Sequence, residues 1–376
     1  MIPVMSSKAQ GNALSRLKHY YEQHEERFAV GFFVGGFLFD VMMVERIDSW
    51  IMIGQQAVYL TIILAGLLQM FFEAARPPLQ TEKMFALKRW YYDYRAPLLH
   101  FFFGTLLNMY TIFFFKSSSL LMSFSFLIFL AFLLYANESP RFRAMGLTFK
   151  FALLSVCLLA FSSAVVPIFV GYMGKLVFLF SVAMGCLPVI AIVWWIQVYR
   201  PAQFENAKGK ILLPLLCVLV SYVSLYLLRL TPPVPLSIPF IGVYHGVEKD
   251  GEHYKLAHER PWWKIWHNGD QLFLAQKGDK IFVAFRIFSP TRFSDQVTMR
   301  WFWKDHRLGW TLQDKIPIKI VGGREEGFRG YGTKANYQPG EWKVQVETAD
   351  EREIGRVYFD LETGPEEPRS FEYDLM

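Results

Sequence analysis

Four side chains with recognition chemistry crowd one glycine-rich run: Arg324, Arg329, Tyr331 and Lys334, between Gly322 and Lys334. Arginine presents a planar fork of donors that matches carboxylates, phosphates or sugar hydroxyls, and an indole or phenol ring adds a stacking face. Together with Trp310 and Trp342 the run predicts a surface for an anionic glycan or a peptide, its five glycines giving the backbone freedom. The same spacing lets Arg324 and Arg329 pair with Glu325, Glu326 or Glu341 and pin a long loop, and pairing is the reading the sequence favours. Trp262, Trp263 and Trp266 follow Pro261 and suit a carbohydrate platform, a lipid-interface anchor or core burial, with burial favoured for so large an apolar side chain.

Catalytic spacings are missing. His245, His253, His258, His267 and His306 fit no zinc template and read as surface or structural residues. There is no His-Glu-x-x-His pair, no Gly-x-Ser-x-Gly elbow and no phosphate loop, so neither an enzyme, a cofactor nor a metal is expected. Cys157, Cys186 and Cys217 all lie in apolar runs and offer no disulfide framework.

The elements that must position these residues fall into two classes. Apolar residues make up 53% and aromatic residues 17% of the 376, more than a soluble core absorbs. A bilayer core needs about 20 apolar residues per helix, and unpaired backbone groups are costly there. Runs near 28–47, 51–72, 97–115, 119–136, 145–170, 176–198 and 211–230 therefore predict about seven transmembrane helices, with tight hairpins at 116–119 and 171–175. The connections on one side of these spans hold fourteen lysines and arginines, those on the other only Arg46, Lys116 and Lys175. The positive-inside rule then places the N-terminus in the cytoplasm and the C-terminal domain across the membrane. This sorting accounts for the basic excess, +8 over residues 1–235 against −2 over 236–376, and nucleic acid is not expected as a partner. Within the spans the polar candidates are Asn108, near a midplane, and Asp40, toward an outer end. Asn108, Thr61, Ser123, Ser125, Ser162 and Ser221 are expected to bond between helices rather than to a substrate.

Past Arg229 the run Thr231-Pro-Pro-Val-Pro235 predicts a semi-rigid stalk. Beyond it the apolar period becomes two: Ile281, Val283, Phe285 and Ile287; Val297, Met299, Trp301 and Trp303; Ile316, Ile318 and Ile320; Trp342, Val344 and Val346; Val357, Phe359 and Leu361. Seven or eight antiparallel strands over one core predict an all-β immunoglobulin-like sandwich, with a small barrel as the alternative. Gln338-Pro-Gly-Glu341 supplies a type II turn, and residues 349–353 suit a hairpin bend. The resulting plan is a cytoplasmic leader over 1–27, a helical membrane bundle over 28–230, a stalk over 231–239, the exported sandwich over 240–363 and an acidic tail over 364–376.

The run 322–331, Lys334, the Trp-headed strand 338–346 and Ile354-Gly-Arg-Val-Tyr-Phe359 resemble the bacterial family catalogued as domain of unknown function 2914 over about the last 80 residues. The stretch from Asn108 through Phe115-Lys-Ser-Ser to Asn137-Glu138 resembles the membrane region often found upstream of it. The resemblance implies a bacterial inner-membrane protein with a periplasmic domain, and no activity. The function expected is a non-enzymatic anchored binding or scaffold protein, partnered by the bilayer and by an envelope glycan, peptide or membrane protein. A polytopic transporter or lipid-modifying enzyme with an accessory β domain is the alternative.

Overall fold

The computed structural model describes residues 48–74, 86–117, 128–129, 131–133, 135, 146–251, 253–264, 266–290, 293–322, 327–365 and 368–376. The leader 1–27, the first expected span 28–47, most of the fourth, 119–136, and the candidates Asp40 and Arg324 lie outside them.

Each described apolar run forms a helix: α1 (Trp50–Glu73), α2 (Ala86–Lys116), α3 (Leu147–Val170) and α4 (Lys175–Tyr199). After Pro201 the chain passes through a 3₁₀ turn, one α-turn (α5, Phe204–Ala207) and a π-helical stretch, Lys208–Leu212, into α6 (Leu213–Leu227). Five stretches among the described residues are long and apolar enough to cross a membrane: Trp50–Glu73, Tyr94–Lys116, Leu147–Val170, Lys175–Tyr199 and Pro201–Leu227. They coincide with five of the seven expected spans. α3 is the centre of the bundle, 67% buried along its most apolar window against 28% for α1, and it packs on α1, α2, α4 and α6. Gly185 of α4 permits a close approach to α3, because a Cβ there would stand 2.6 Å from Ser162 Oγ. Leu187, Ile190 and Val220 point outward, as lipid-facing side chains do, and Trp194, Trp195 and Tyr199 are exposed where an interfacial belt is expected.

Of the hydroxyls expected to bond between helices, Ser123 and Ser125 lie outside the described residues and the other three bond within their own helices. Thr61, Ser162 and Ser221 donate to carbonyls of their own helices at Ala57 (2.8 Å), Leu159 (3.1 Å) and Cys217 (2.9 Å). A carbonyl one turn back is always within reach in a dry bundle, so it captures the hydroxyl first. Asn108 is buried on α2.

Among the described residues eleven strands follow, more than the seven or eight expected: β1 (Ser237–Tyr244), β2 (Gly246–Asp250), β3 (His253–His258), β4 (Leu272–Ala275), β5 (Ile281–Phe288), β6 (Ser294–Asp305), β7 (Gly309–Val321), β8 (Phe328–Lys334), β9 (Gly340–Glu347), β10 (Glu353–Thr363) and β11 (Glu372–Leu375). The sheets run β1-β5-β8, β4-β10-β9-β6-β7 and β11-β3-β2, antiparallel except where β4 joins β10. Every alternating set read from the sequence lands in one core between the first two sheets, where Val283, Phe285, Met299, Trp301, Trp342 and Val344 are buried. The opposite face of β1 and β5 carries a second, smaller core under the third sheet, formed by Tyr244, Leu256, Ala284 and Met376. The segment read as an acidic tail is thus structural: β11 pairs with β3, and Met376 is buried.

Helices and strands belong to one compact unit. The proline run expected as a stalk is buried from Thr231 to Leu236 and leads directly into β1. Met173, in the turn between α3 and α4, is part of the β core itself. Its N–H donates to Asp295 Oδ2 at 2.8 Å, and the Ser294 N–H donates to the Gly171 carbonyl at 2.8 Å. Fixed φ angles made the prolines stiff, but what they pack against is a long-range matter.

Candidate functional site

Two grooves flank the loop between β3 and β4. Gly269 anchors that loop: its φ of 62° and a Cβ position only 2.2 Å from the Val243 carbonyl oxygen admit no other residue. The neighbouring Asp270 N–H donates to Val243 O at 2.8 Å. Arg260 fastens the loop's beginning through two bonds to Asp374, 3.1 and 3.0 Å, and one to the His267 carbonyl. Between these anchors Trp262, Trp263 and Trp266 stand 80%, 51% and 66% exposed. The expectation of core burial is therefore corrected. The two sheets fill their shared core from the alternating strands, and a loop outside any period has no place in it.

One groove, about 490 Å³, lies between Trp266 and the outer face of the five-stranded sheet. Along β10 the odd positions Val357, Phe359 and Leu361 face the core, which turns Arg356, Tyr358 and Asp360 outward into the groove. Trp310 of β7 meets Tyr358 at 5.8 Å between ring centroids, and the Lys343 ammonium lies 4.9 Å from the Trp310 ring. Burial pushes that ammonium's pKa down, and Arg356 adds to the effect. Glu341 completes the lining and is paired with Lys304 at 2.7 Å rather than with an arginine. Indole and phenol faces with the Asp360 and Glu341 carboxylates at their edge match a sugar ring, with its apolar C–H face and polar hydroxyl rim. The Arg356 guanidinium is held by Glu353 and the Tyr358 hydroxyl. The groove is far from the bundle: Lys304, opposite Trp310, is ten residues along β6 from Ser294, roughly 33 Å at 3.3 Å per residue.

The second groove, about 440 Å³, lies on the other side of the loop between Trp262 and Arg369. Buried charge stands behind it. His245 Nε2 is 3.4 Å from Glu259 Oε2 and 3.6 Å from Asp270 Oδ2, and the ring stacks on Phe273 at 3.9 Å. Burial, with the Arg369 cation close by, holds His245 down to about 4. Burial likewise raises Asp270 to about 7, against the opposing hydrogen bond from the Glu259 N–H. A separate knot joins His258, Arg260 and Tyr244 to Asp374, whose carboxyl these bonds keep below its usual range although burial opposes them. No sequence signal pointed to these clusters, because partners as far apart as Tyr244 and Asp374 follow no motif spacing. Among the described residues no cluster of His, Cys, Asp and Glu could hold a metal ion.

The six candidates read from the sequence do not converge. Arg324 is outside the described residues, and Phe328–Lys334 of its run is strand rather than loop. On β8, Arg329 and Tyr331 share one face, Tyr331 lying 6.1 Å from Tyr254 and 6.2 Å from Phe282. Arg329 is in register with Arg286 of β5. Gly330 and Gly332 serve packing rather than freedom, since a Cβ on either would strike Phe285 or Met299. Lys334 is 8% exposed, bonds the Asp314 carboxylate and stands 5.4 Å from the Trp342 ring. Trp342 is 1% exposed and donates Nε1–H to the Gln338 carbonyl at 2.9 Å. Of the six, Trp310 and Trp342 both border the aromatic groove, Trp310 as a half-buried ring and Trp342 from the core. Its alternation with Val344 and Val346 marks Trp342 as core in the sequence itself.

Residues 294–361, from β6 into β10, match the family described as "Protein of unknown function (DUF2914)". No curated protein matches the chain. Among solved structures, an immunoglobulin-like protein from Pseudomonas aeruginosa is similar at 14% identity over 34% of this chain and 98% of its own, with a TM-score of 0.22. A β-glucosidase from Listeria innocua in complex with glucose shares 11% identity over 25% of this chain and 15% of its own, with a TM-score of 0.18. The DNA glycosylase AlkC from Pseudomonas fluorescens, bound to DNA containing an abasic site analog, shares 10% identity over 85% of this chain and all of its own, with a TM-score of 0.22. Scores this low establish neither a common fold nor a common activity.

Proposed function

We propose that this chain is a non-enzymatic, membrane-anchored binding protein whose β domain takes an envelope glycan in the aromatic groove beside Trp266. One observation carries the reading: three tryptophans of a loop fastened at both ends are turned outward beside open grooves. Exposing so much indole forfeits the burial that ordinarily recovers it, and a stacking ligand supplies the missing contact. The lysine and arginine asymmetry between the two sets of helix connections supports an inner-membrane protein with a cytoplasmic N-terminus and a periplasmic β domain. Two sheets around one core support the immunoglobulin-like reading, with β11-β3-β2 added as a third layer.

The test uses the full chain in detergent against an array of bacterial cell-wall glycan fragments. The parent protein is expected to bind at least one fragment class. Trp266→Ala and Trp310→Ala should each weaken that binding about tenfold, the effect typical of removing an aromatic anchor. A parent protein that retains no fragment, or variants that bind as the parent does, would remove the reading. A reporter enzyme fused after Met376 and active only in the cytosol would remove the orientation on which the periplasmic ligand depends.

A further inference from the structure

We infer that the cavity where α4 and α6 meet the β9–β10 hairpin binds the phosphate of a membrane phospholipid, a site separate from the glycan groove and independent of it. The cavity is about 460 Å³ and has two chemically distinct walls. Toward the helices it is lined by Phe178, Leu179, Val223 and Leu227, and at their ends by Lys175 and Arg229, with hairpin residues 349–352 as its roof. Leu179 and Leu227 are 57% and 74% exposed, so the apolar wall continues onto the lipid-facing surface of α4 and α6. A phospholipid has this same order of parts, an acyl chain running along the helices and an anion at the level where they end.

The charges do not cancel. Asp350 is taken up by Arg352 Nε at 2.8 Å and by the Tyr226 hydroxyl at 2.7 Å. Glu351 bonds Arg229, with Arg300 also 3.5 Å away. Lys175 is exposed, and among the described residues it has no acidic partner, which leaves one cation in excess beside the cavity.

Backbone strain at the same place is an independent sign. Among the described residues the non-glycine residues with positive φ are Arg229 (60°) and Glu351 (62°), and both line this cavity. Arg229 occupies the left-handed position that ends α6, where the Leu230 N–H returns to the Leu225 carbonyl at 2.9 Å, a place glycine ordinarily fills. The hairpin turn at Glu351, whose N–H returns to Thr348 O at 2.9 Å, is spent on a charge in the same way. Strain kept in two facing turns so that charged side chains can meet at a membrane-level cavity marks a functional surface.

The experiment is native mass spectrometry of the full chain released from detergent with phosphatidylglycerol, phosphatidylethanolamine or inorganic phosphate added. The parent should retain one phospholipid copy that inorganic phosphate at millimolar concentration does not displace. Lys175→Gln, which breaks no ion pair, and Val223→Trp, which fills the acyl wall, should each lower that retention about fivefold with melting unchanged. Should Val223→Trp fail to fold, Lys175→Gln at its exposed position still decides. Retention unchanged in Lys175→Gln, or no retained lipid on the parent, overturns the proposal. Displacement by inorganic phosphate also overturns it, because only the anion would then be recognised.

Discussion

The two ends of the β domain hold the same residue types in opposite states. At the helix end, Tyr226, Asp350 and Arg352 close on one another, with the Arg352 guanidinium 5.0 Å from the Tyr226 ring and that ring stacked on Phe178 at 3.5 Å. Asp350 and Arg352 keep 4% and 7% of their side chains exposed, and their mutual attraction with the Tyr226 and Thr348 hydroxyls holds the Asp350 carboxyl below its ordinary pKa although burial alone would raise it. At the far end, tryptophans, the arginines Arg260, Arg356 and Arg369, and carboxylates line open grooves. Aromatic rings are thus spent on docking at one end and left exposed at the other, whereas the arginines lining the open grooves are ion-paired, Arg260 with Asp374, Arg356 with Glu353 and Arg369 with Asp279. Composition does not separate the two uses; saturation of the partners does.

The strongest way to break this contrast is at the docked end. Arg352→Ala leaves the Asp350 carboxylate buried without its guanidinium and should cost about 3–5 kcal/mol. It should be read as a lowered melting temperature and as new protease cleavage in 231–236, whereas melting like that of the parent would mean the junction is loose. The buried pair behind the second groove sharpens the contrast next. The raised Asp270 keeps, in the folded chain, a proton that the unfolded chain releases from its ordinary 3.8 upward, so stability falls between there and about pH 7. The lowered His245 acts oppositely, since the unfolded chain binds a proton below 6.5 that the folded ring takes up only near 4, so stability rises across that interval. Asp270→Asn removes the first slope, and the variant should gain on the parent by up to about 1.4 kcal/mol per pH unit as pH climbs from 4 to 7. Parallel melting curves across that range would show Asp270 ionised in the fold. The smallest stability effect belongs to the open end: Trp310→Ala, which loses the Tyr358 and Lys343 contacts of a half-buried ring, should cost no more than about 1 kcal/mol even as it weakens glycan binding. A large loss of stability there would move Trp310 into the docked class.

Much of the fold was legible in the sequence. The five described spans stand where apolar runs were long enough, and all five alternating strand faces meet in the core, because a period of two admits one register per buried face. The candidate site was less legible. Residue type places Trp342 with the surface candidates although its strand period marks it as inward, and Gly330 and Gly332 make room for Phe285 and Met299 where composition alone suggests backbone freedom. Trp262, Trp263 and Trp266 lie in no period, so residue type alone leaned toward burial and misplaced them.

By itself the sequence determined which segments leave water for lipid and which strand faces turn inward. Both follow from local partition and repeat, properties a short window of residues already contains. The tertiary structure alone decided which tryptophans remain exposed, which charges are neutralised, and that the proline run is buried. These depend on neighbours such as Tyr226 and Asp350 or Met173 and Asp295, each pair more than 120 residues apart in the chain. A side chain is saturated or available according to what folding brings beside it, and no local pattern records that.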